Sequence, residues 1–382
     1  TPPLSIDRRQ RQMCIRDRVE AVQEEESVGK VSGQLRAFYV DRTYDNNHPT
    51  GNRNALATGG WIKYETPEYS GLSAAVALYG VYGFNIHDND IDVEPNSNYD
   101  PSLNGFKGEN YGFIGEAYLN YASGNTNIKV GRQKLNTPLA GADDARMLPN
   151  LFEAAIVSNT DIEDTTLIAG HVTKMTMGTF SNIYDDGWKL GLASGYGKGT
   201  PLAQSGDFED MGVVALGAGN DTDGVTVGAV IYKGIDNLTL QAWDYYAHDI
   251  LNALYLQADY GWNCVVNDNV KMKASAQYIN QTDVGDDLAG KFAGVSGVDS
   301  NYWGVKLGAS SGALSGYIAY SQTGDSDGAT NGGIITPWGG MPAFTQGMVT
   351  RHQFFSDTDT WKVAGTYKMN ELLGANVKAS AY

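Results

Sequence analysis

Residues 129–152 read Lys-Val-Gly-Arg-Gln-Lys-Leu-Asn-Thr-Pro-Leu-Ala-Gly-Ala-Asp-Asp-Ala-Arg-Met-Leu-Pro-Asn-Leu-Phe. The stretch starts inside a segment in which apolar and polar residues alternate, and it ends where another such segment starts. Between the two lie residues 134–150, which contain Pro138 and Pro149 but no periodic pattern. A connection this long is uncommon in a compact fold unless it has a function. The sequence therefore predicts two strands joined by a functional loop, with a solvated surface loop as the alternative.

The same alternation with period two continues through residues 29–382. About seventeen short segments show it, and no change of composition divides them. The predicted strands are 30–42, 56–67, 71–83, 111–122, 125–133, 151–160, 163–174, 187–194, 211–219, 224–233, 237–247, 251–261, 268–280, 300–309, 313–322, 358–368 and 374–382. The 47 glycines and 23 tyrosines fit strands and turns better than helices. The sequence therefore predicts a single all-β domain at 29–382, built as one large antiparallel sheet that closes into a barrel.

The predicted connections differ in length on the two sides of this sheet. Short ones are expected at 68–70, 123–124, 161–162, 234–236, 248–250 and 310–312. Long ones are expected at 43–55, 84–110, 134–150, 176–186, 281–299 and 323–357. This asymmetry is typical of transmembrane β-barrels, and a soluble β-sandwich has no need for it. A transmembrane helix is excluded, because no run of about 18 apolar residues is present.

The two ends of the chain need separate treatment. Residues 1–28 form a polar leader, and 1–18 hold five arginines without the apolar core of a secretory signal. We expect 1–28 to be disordered and 1–18 to be foreign to the protein; a basic arm for an anionic partner is the alternative. The chain stops inside the last predicted strand, 374–382. A closed barrel of this type needs an even strand count, so we expect about 16–17 strands and a C-terminally incomplete barrel.

Composition excludes several classes of function. The net charge of −17 argues against a nucleic-acid partner, which would need a basic surface. Cys14 and Cys264 have neither metal-ligand nor disulfide-framework spacing. The five histidines form no catalytic motif, so we predict no enzyme, no cofactor and no metal site. The acidic stretch 88–94 lacks the glycine and distal glutamate of a calcium loop and is expected to be solvated; cation bridges to lipopolysaccharide are the alternative.

Alternation also assigns each strand residue to one face of the sheet. The predicted lipid-facing residues are Leu72, Val76, Leu78, Phe113, Leu119, Leu254, Leu256, Met272, Trp361 and Val363. A charge on that face costs about 2–4 kcal/mol at the centre of the bilayer. The cations of opposite parity should therefore form a basic wall along the lumen: Arg36, Lys63, Lys129, Lys189, Lys271, Lys273, Lys306, Lys362 and Lys378. The alternative is that these cations are solvated and unspecific.

The loop at 134–150 should fold into the lumen and narrow it. Its apolar residues are too many for a solvated loop and should pack on the inner wall: Leu135, Leu139, Met147 and Leu148. This would aim Asp143 and Asp144 at the pore axis, opposite the basic wall. The resulting transverse field would select solutes by charge. Arg146 is close enough to the two acids to pair with them.

Arg132 is a further candidate for the pore constriction. It has the same parity as Ile128 and Val130, which are expected to face lipid. Arg132 therefore reaches the lumen only if a bulge or the end of the strand turns it inward.

Several stretches resemble the OprD-type outer-membrane porins. The matching residues are Gly131-Arg132-Gln133, Asn136-Thr137-Pro138, 143–152, Gly33-Gln34-Leu35-Arg36 with Phe38-Tyr39, Gly59-Gly60 with Tyr64-Glu65-Thr66, and 370–376. The resemblance implies an 18-stranded barrel in the full protein. It also implies that 134–150 is the pore constriction and that small hydrophilic solutes diffuse passively through it.

The resemblance further implies an outer-membrane location, with lipid and lipopolysaccharide as partners, and it allows a homotrimer. Two other readings of the sequence stay open. A non-conducting barrel that serves as an adhesin or surface structural protein would share everything except the in-folded loop. A soluble all-β enzyme or lectin would lack the lipid-facing residues.

Overall fold

The computed structural model describes residues 28–43, 52–84, 86, 99–104, 110–179, 192, 197–198, 202–347, 351–369 and 378–381. The predicted leader lies outside this part except for Val28. So do the acidic stretch 88–94, Lys189, the motif at 370–376 and most of the predicted strand 187–194.

The strands are long, and almost all are antiparallel hairpin partners. They are β1 (Lys30–Arg42), β2 (Arg53–Glu65), β3 (Leu72–Phe84), β4 (Tyr111–Ser123), β5 (Thr126–Gln133), β6 (Leu151–Asn159), β7 (Thr165–Thr176), β8 (Glu209–Asp210), β9 (Val225–Ile235), β10 (Leu238–Ala247), β11 (Leu251–Asn263), β12 (Lys271–Thr282), β13 (Asp299–Ser311), β14 (Leu314–Thr323), β15 (Asp359–Lys368) and β16 (Lys378–Ala381). In the described part of the chain, two short α-helices interrupt the pattern, α1 (Met211–Leu216) and α2 (Leu288–Ala293), and two single-turn 3-10 helices lie at Ala329–Gly332 and His352–Phe354.

All 16 strands belong to one sheet, which confirms the predicted all-β class. Each strand pairs with its neighbour in sequence, except that β8 pairs only with the end of β7, and β7 continues to β9. Within the described strands, β1 and β16 stand at the two ends of this order. No helix in the described ranges is long and apolar enough to cross a membrane.

Alternation gives the sheet two chemically different faces. The outer face carries apolar side chains that are exposed, such as Leu78 (55% exposed), Leu119 (57%) and Trp361 (69%). The opposite face, called the inner face below, carries the buried side chains and is covered by several connections. An exposed apolar surface of this extent is what a lipid environment requires.

Phe113 is the one predicted lipid-facing residue that the structure places on the other face. Between β3 and β4 the register shifts, because Ala77 pairs with Glu116 but Leu78 pairs with Ile114. The extra residue in β4 is a β-bulge that exchanges the faces beyond it. Phe113 therefore stacks on the buried Tyr79, with ring centroids 6.0 Å apart.

Two further predictions about secondary structure are wrong. The strand expected at 211–219 is instead helix α1 over much of its length, and all residues of this helix are buried. A continuous apolar run has no period that distinguishes a buried helix from a buried strand. The Asp210 side chain caps this helix by accepting a hydrogen bond from Gly212 N at 2.8 Å. The short connection 248–250 joins β10 to β11 at the same edge as the long connections, not at the short-turn edge.

Candidate functional site

Residues 134–150, called the inward segment, connect β5 to β6 and lie against the inner face. Leu139, Met147 and Leu148 are at most 2% exposed. Leu135 is partly buried and packs against the buried apolar cluster that includes Leu139 and Trp338. The predicted packing of these four apolar residues is confirmed.

The inward segment reaches strands on both sides of its own hairpin. On one side, Arg36 of β1 donates from Nη1 to Asp144 Oδ1 and to the carbonyl oxygen of Arg146, both at 2.6 Å. On the other side, Leu139 N donates to the hydroxyl of Tyr245 on β10 at 3.4 Å. In strand order, β1 lies four strands from β5, and β10 lies three strands from β6 on the other side. A segment that contacts both must cross the inner face.

Asp144 is held by two cations. Besides Arg36, Lys134 Nζ lies 3.1 Å from Asp144 Oδ2. Burial raises the pKa of Asp144, but the hydrogen bond from Arg36 and the charge of Lys134 outweigh it. The pKa therefore lies below the usual value of an aspartate, and the carboxylate is ionised at neutral pH.

The neighbouring charges of the segment have other contacts. Asp143 has a φ of 36°, a left-handed conformation that aspartate tolerates better than most residues. Arg146 is 7% exposed, and its guanidinium lies 5.2 Å from the ring centroid of Phe38 on β1. Arg146 thus packs on the wall through a cation–π contact, which the sequence did not predict.

Hydrogen bonds from two side chains fix the shape of the inward segment. Asn150 donates to the Gly141 carbonyl at 2.8 Å and accepts from Gly178 N at 2.7 Å. Thr179 Oγ1 accepts from the backbone amides of Met147 (2.9 Å) and Leu148 (3.0 Å). Asn150 belongs to the resemblance motif, but nothing in the sequence pattern indicated Thr179.

A second connection, residues 329–347, also lies on the inner face. Gln281 on β12 exchanges two hydrogen bonds of 2.7 Å with the backbone of Ile335. Trp338 is 2% exposed, and its carbonyl accepts from Gly141 N at 3.2 Å, so the two segments touch. Sequence reasoning predicted a long connection here but not its position. The apolar residues at 334–338 were the signal that could have indicated burial.

The predicted basic wall divides into two groups. The first lies on β1, β2 and β5 and is balanced by acids: Arg36 pairs with Asp144, and Lys63 lies 3.7 Å from Glu116 and 3.8 Å from Glu65. Lys129 lies 4.4 Å from the ring centroid of Tyr118. Three acids thus accompany three cations in this group.

The second group lies on β12, β13 and β15. It contains Lys271, Lys273, Lys306 and Lys362. Lys273 pairs with Asp259 at 3.0 Å. Lys306 and Lys362 both lie near aromatic rings, and Lys362 also donates to a backbone carbonyl. No salt bridge involving Lys306 is found in the described part of the chain. The side chain of the remaining wall candidate, Lys378, lies outside the described residues.

Arg132 does not join Asp144. Its Nε lies 3.5 Å from Glu153 Oε2, and its guanidinium lies 4.2 Å from the ring centroid of Phe208. The pairing of β5 with β4 extends to Arg132 and its pairing with β6 extends to Gln133, both without a register shift. β5 therefore has no bulge that would turn the Arg132 side chain inward.

An apolar exposed face, together with an inner face that carries charged side chains and is crossed by the sheet's own connections, is the architecture of pore-type transmembrane β-barrels. A comparison with family models agrees: the model of the outer membrane porin, OprD family, matches residues 27–372. The chain therefore belongs to the OprD family of outer-membrane porins. Its location is the outer membrane, and its family consists of porins and not of enzymes.

Solved structures support the fold. OccK9 (OpdG) of Pseudomonas aeruginosa superposes with a TM-score of 0.69 at 17% identity, covering 92% of this chain and 81% of that one. OpdK of the same organism, solved with vanillate, superposes with a TM-score of 0.66 at 15% identity, covering 90% of this chain and 77% of that one. OccK2 (OpdF), also of Pseudomonas aeruginosa and solved with glucuronate, superposes with a TM-score of 0.62 at 15% identity, covering 90% of this chain and 77% of that one. The search of curated proteins found no match.

Proposed function

We propose that this porin gives passive, charge-selective diffusion of small hydrophilic solutes and ions through a barrel constricted by the inward segment. The observation that carries the proposal is the crossing of the inner face by residues 134–150, which are bonded to β1 through Asp144 and to β10 through Leu139. A segment held at both sides narrows the lumen and sets its charge there. Residues 29–382 form the barrel in this proposal, and 1–28 are a leader.

Small carboxylates are the solutes that the inner face fits best. The second group of cations, on β12, β13 and β15, has only one acid paired with it in the described residues, Asp259. The first group is balanced by three acids and contributes less net field. Vanillate and glucuronate, bound in two of the similar structures, are both carboxylates, and the proposal extends this chemistry to the present chain.

Arg132 is left out of the proposed constriction, because it contacts Glu153 and Phe208 and not the acids of the inward segment. Outer-membrane lipid and lipopolysaccharide are the proposed partners of the exposed apolar face. A homotrimer stays a prediction that cross-linking in membranes would test.

Liposome swelling with matched solutes tests the proposal. Liposomes that contain the full chain should swell faster in glucuronate than in a neutral sugar of similar size, and planar bilayers should show discrete conductance steps. Absence of both swelling and conductance would indicate a non-conducting barrel. Equal rates for the two solutes would remove the preference for carboxylates.

A further inference from the structure

Lys306 and Lys362 occupy one row across four neighbouring strands. Ser275 on β12 pairs with Lys306, Lys306 pairs with Ala319 on β14, and Ala319 pairs with Lys362. Ser275 and Ala319, which share this row with the two lysines, are both small. These two lysines would be the strongest anion-attracting point of the second group if they were open to the lumen.

A strap formed by residues 341–347 runs over this row and is bonded to the strands around it. On β12, Gln277 accepts from Phe344 N (2.9 Å) and donates to the Pro342 carbonyl (3.1 Å). On β14, the hydroxyls of Ser321 and Thr345 are 2.6 Å apart. These wall residues lie one row nearer the long-connection edge than the lysines, so the strap approaches the lysines from that side.

The strap also contacts both ammonium groups directly. Lys306 Nζ lies 4.0 Å from the ring centroid of Phe344 and 5.8 Å from that of Tyr317, so two aromatic rings are close to it. Lys362 Nζ donates to the carbonyl oxygen of Gln346. A cation held by a ring face and a carbonyl is attracted to them electrostatically and has fewer free donors for a solute.

Lys273 provides the contrast within the same group. It lies one row nearer the short turns, pairing with Gly308, and its side chain is 57% exposed although it contacts Asp259. The strap does not reach it in the described contacts. Three lysines of one wall therefore differ in what covers them, although the sequence assigned them the same role.

We propose that the strap withholds Lys306 and Lys362 from permeating anions, and that Phe344 is the residue that determines this selectivity. The proposal rests on the proposed conduction of charged solutes. A solute carboxylate must displace the Phe344 ring to reach Lys306, whereas it reaches the exposed Lys273 without moving an aromatic ring. Removing the ring should therefore make the wall more selective for anions.

Reversal potentials across a salt gradient test this with a double-mutant cycle. Lys273→Met, the matched control, should shift the potential toward cation selectivity. In the otherwise unchanged protein, Lys306→Met should shift the reversal potential clearly less than Lys273→Met does. When Phe344→Ala is also present, Lys306→Met should shift the potential as much as Lys273→Met. The same Lys306→Met shift with and without Phe344 would overturn the proposal. Phe344→Leu repeats the cycle with most of the side-chain volume kept.

Amine acetylation read by mass spectrometry tests the cover without any conduction. In the folded protein, Lys306 should react several-fold more slowly than Lys273, and Phe344→Ala should raise the Lys306 rate while leaving Lys273 unchanged. Equal rates for Lys306 in the two proteins would contradict the proposal. If the labelling result holds but no variant conducts, the proposed function fails while the cover on Lys306 stands.

Discussion

At the scale of single residues, Asp144 joins the inward segment to the wall. It is the only side chain of the segment for which the described contacts include two ion pairs, to Arg36 at 2.6 Å and to Lys134 at 3.1 Å. Asp144→Asn keeps the shape but leaves two cations without their carboxylate. We expect a loss of about 1.5–3 kcal/mol in the free energy of unfolding, the usual contribution of hydrogen bonds to a charged group.

Urea unfolding in lipid vesicles measures this loss, and Asp161→Asn is the matched control. Asp161 is exposed in the short turn between β6 and β7, and the donors to its side chain within the described residues are Asn125 and Asn159. The control should unfold like the unchanged protein. An equal effect of the two substitutions would mean that the Asp144 ion pairs do not stabilise the segment.

The pH dependence of this contribution follows from the lowered pKa of Asp144. The unfolded value is about 3.9 and the folded value lies below it, so the stabilisation is complete above the unfolded pKa and is lost as pH falls through the folded one. The difference in unfolding free energy between the unchanged protein and Asp144→Asn should be constant from about pH 7 to pH 5 and should shrink only below about pH 4. A difference that declines steadily between pH 7 and pH 5 would contradict the ionised carboxylate.

At the scale of elements, the two inward connections meet where glycine is required. A Cβ at position 340 would lie 2.2 to 2.4 Å from the backbone of Leu139. Gly340→Ala should therefore push the two segments apart and raise the single-channel conductance in planar bilayers. Gly228→Ala is the control, because nothing lies within 4 Å of a Cβ there. Unchanged conductance in Gly340→Ala would show that this contact does not set the width of the path.

At this scale the sequence could predict the strands and their two faces, because these follow from the alternation of apolar and polar residues. Strand β3 was predicted to within one residue at each end and β12 to within three, because their alternation is regular. The residues of β4 beyond its bulge were assigned to the wrong faces, because one extra residue shifts the alternation without changing the composition. Helix α1 was not predicted, because a fully buried apolar run shows no period. The positions of the inward connections were not predicted either, because they depend on contacts between residues about a hundred positions apart, such as Arg36 and Asp144.

At the scale of the whole molecule, the outer face should behave as a lipid-facing surface. Leu78 lies in the middle of β3 and is 55% exposed, while Val31 lies at the start of β1 and is 61% exposed. Leu78→Arg should destabilise the protein in vesicles by about 2–4 kcal/mol, and Val31→Arg by about 0–1 kcal/mol, because the cost of charge falls toward the membrane interface. Equal costs at both depths would contradict the transmembrane orientation of the strands.

The central claim is that the inward segment sets the charge of the constriction through Asp144. Reversal potentials across a salt gradient, recorded for the unchanged protein, Asp144→Asn and Asp161→Asn in planar bilayers, test it most directly. Removing the carboxylate leaves Arg36 and Lys134 uncompensated, so Asp144→Asn should shift the potential toward anion selectivity while Asp161→Asn leaves it unchanged. Equal potentials for all three proteins would contradict the account.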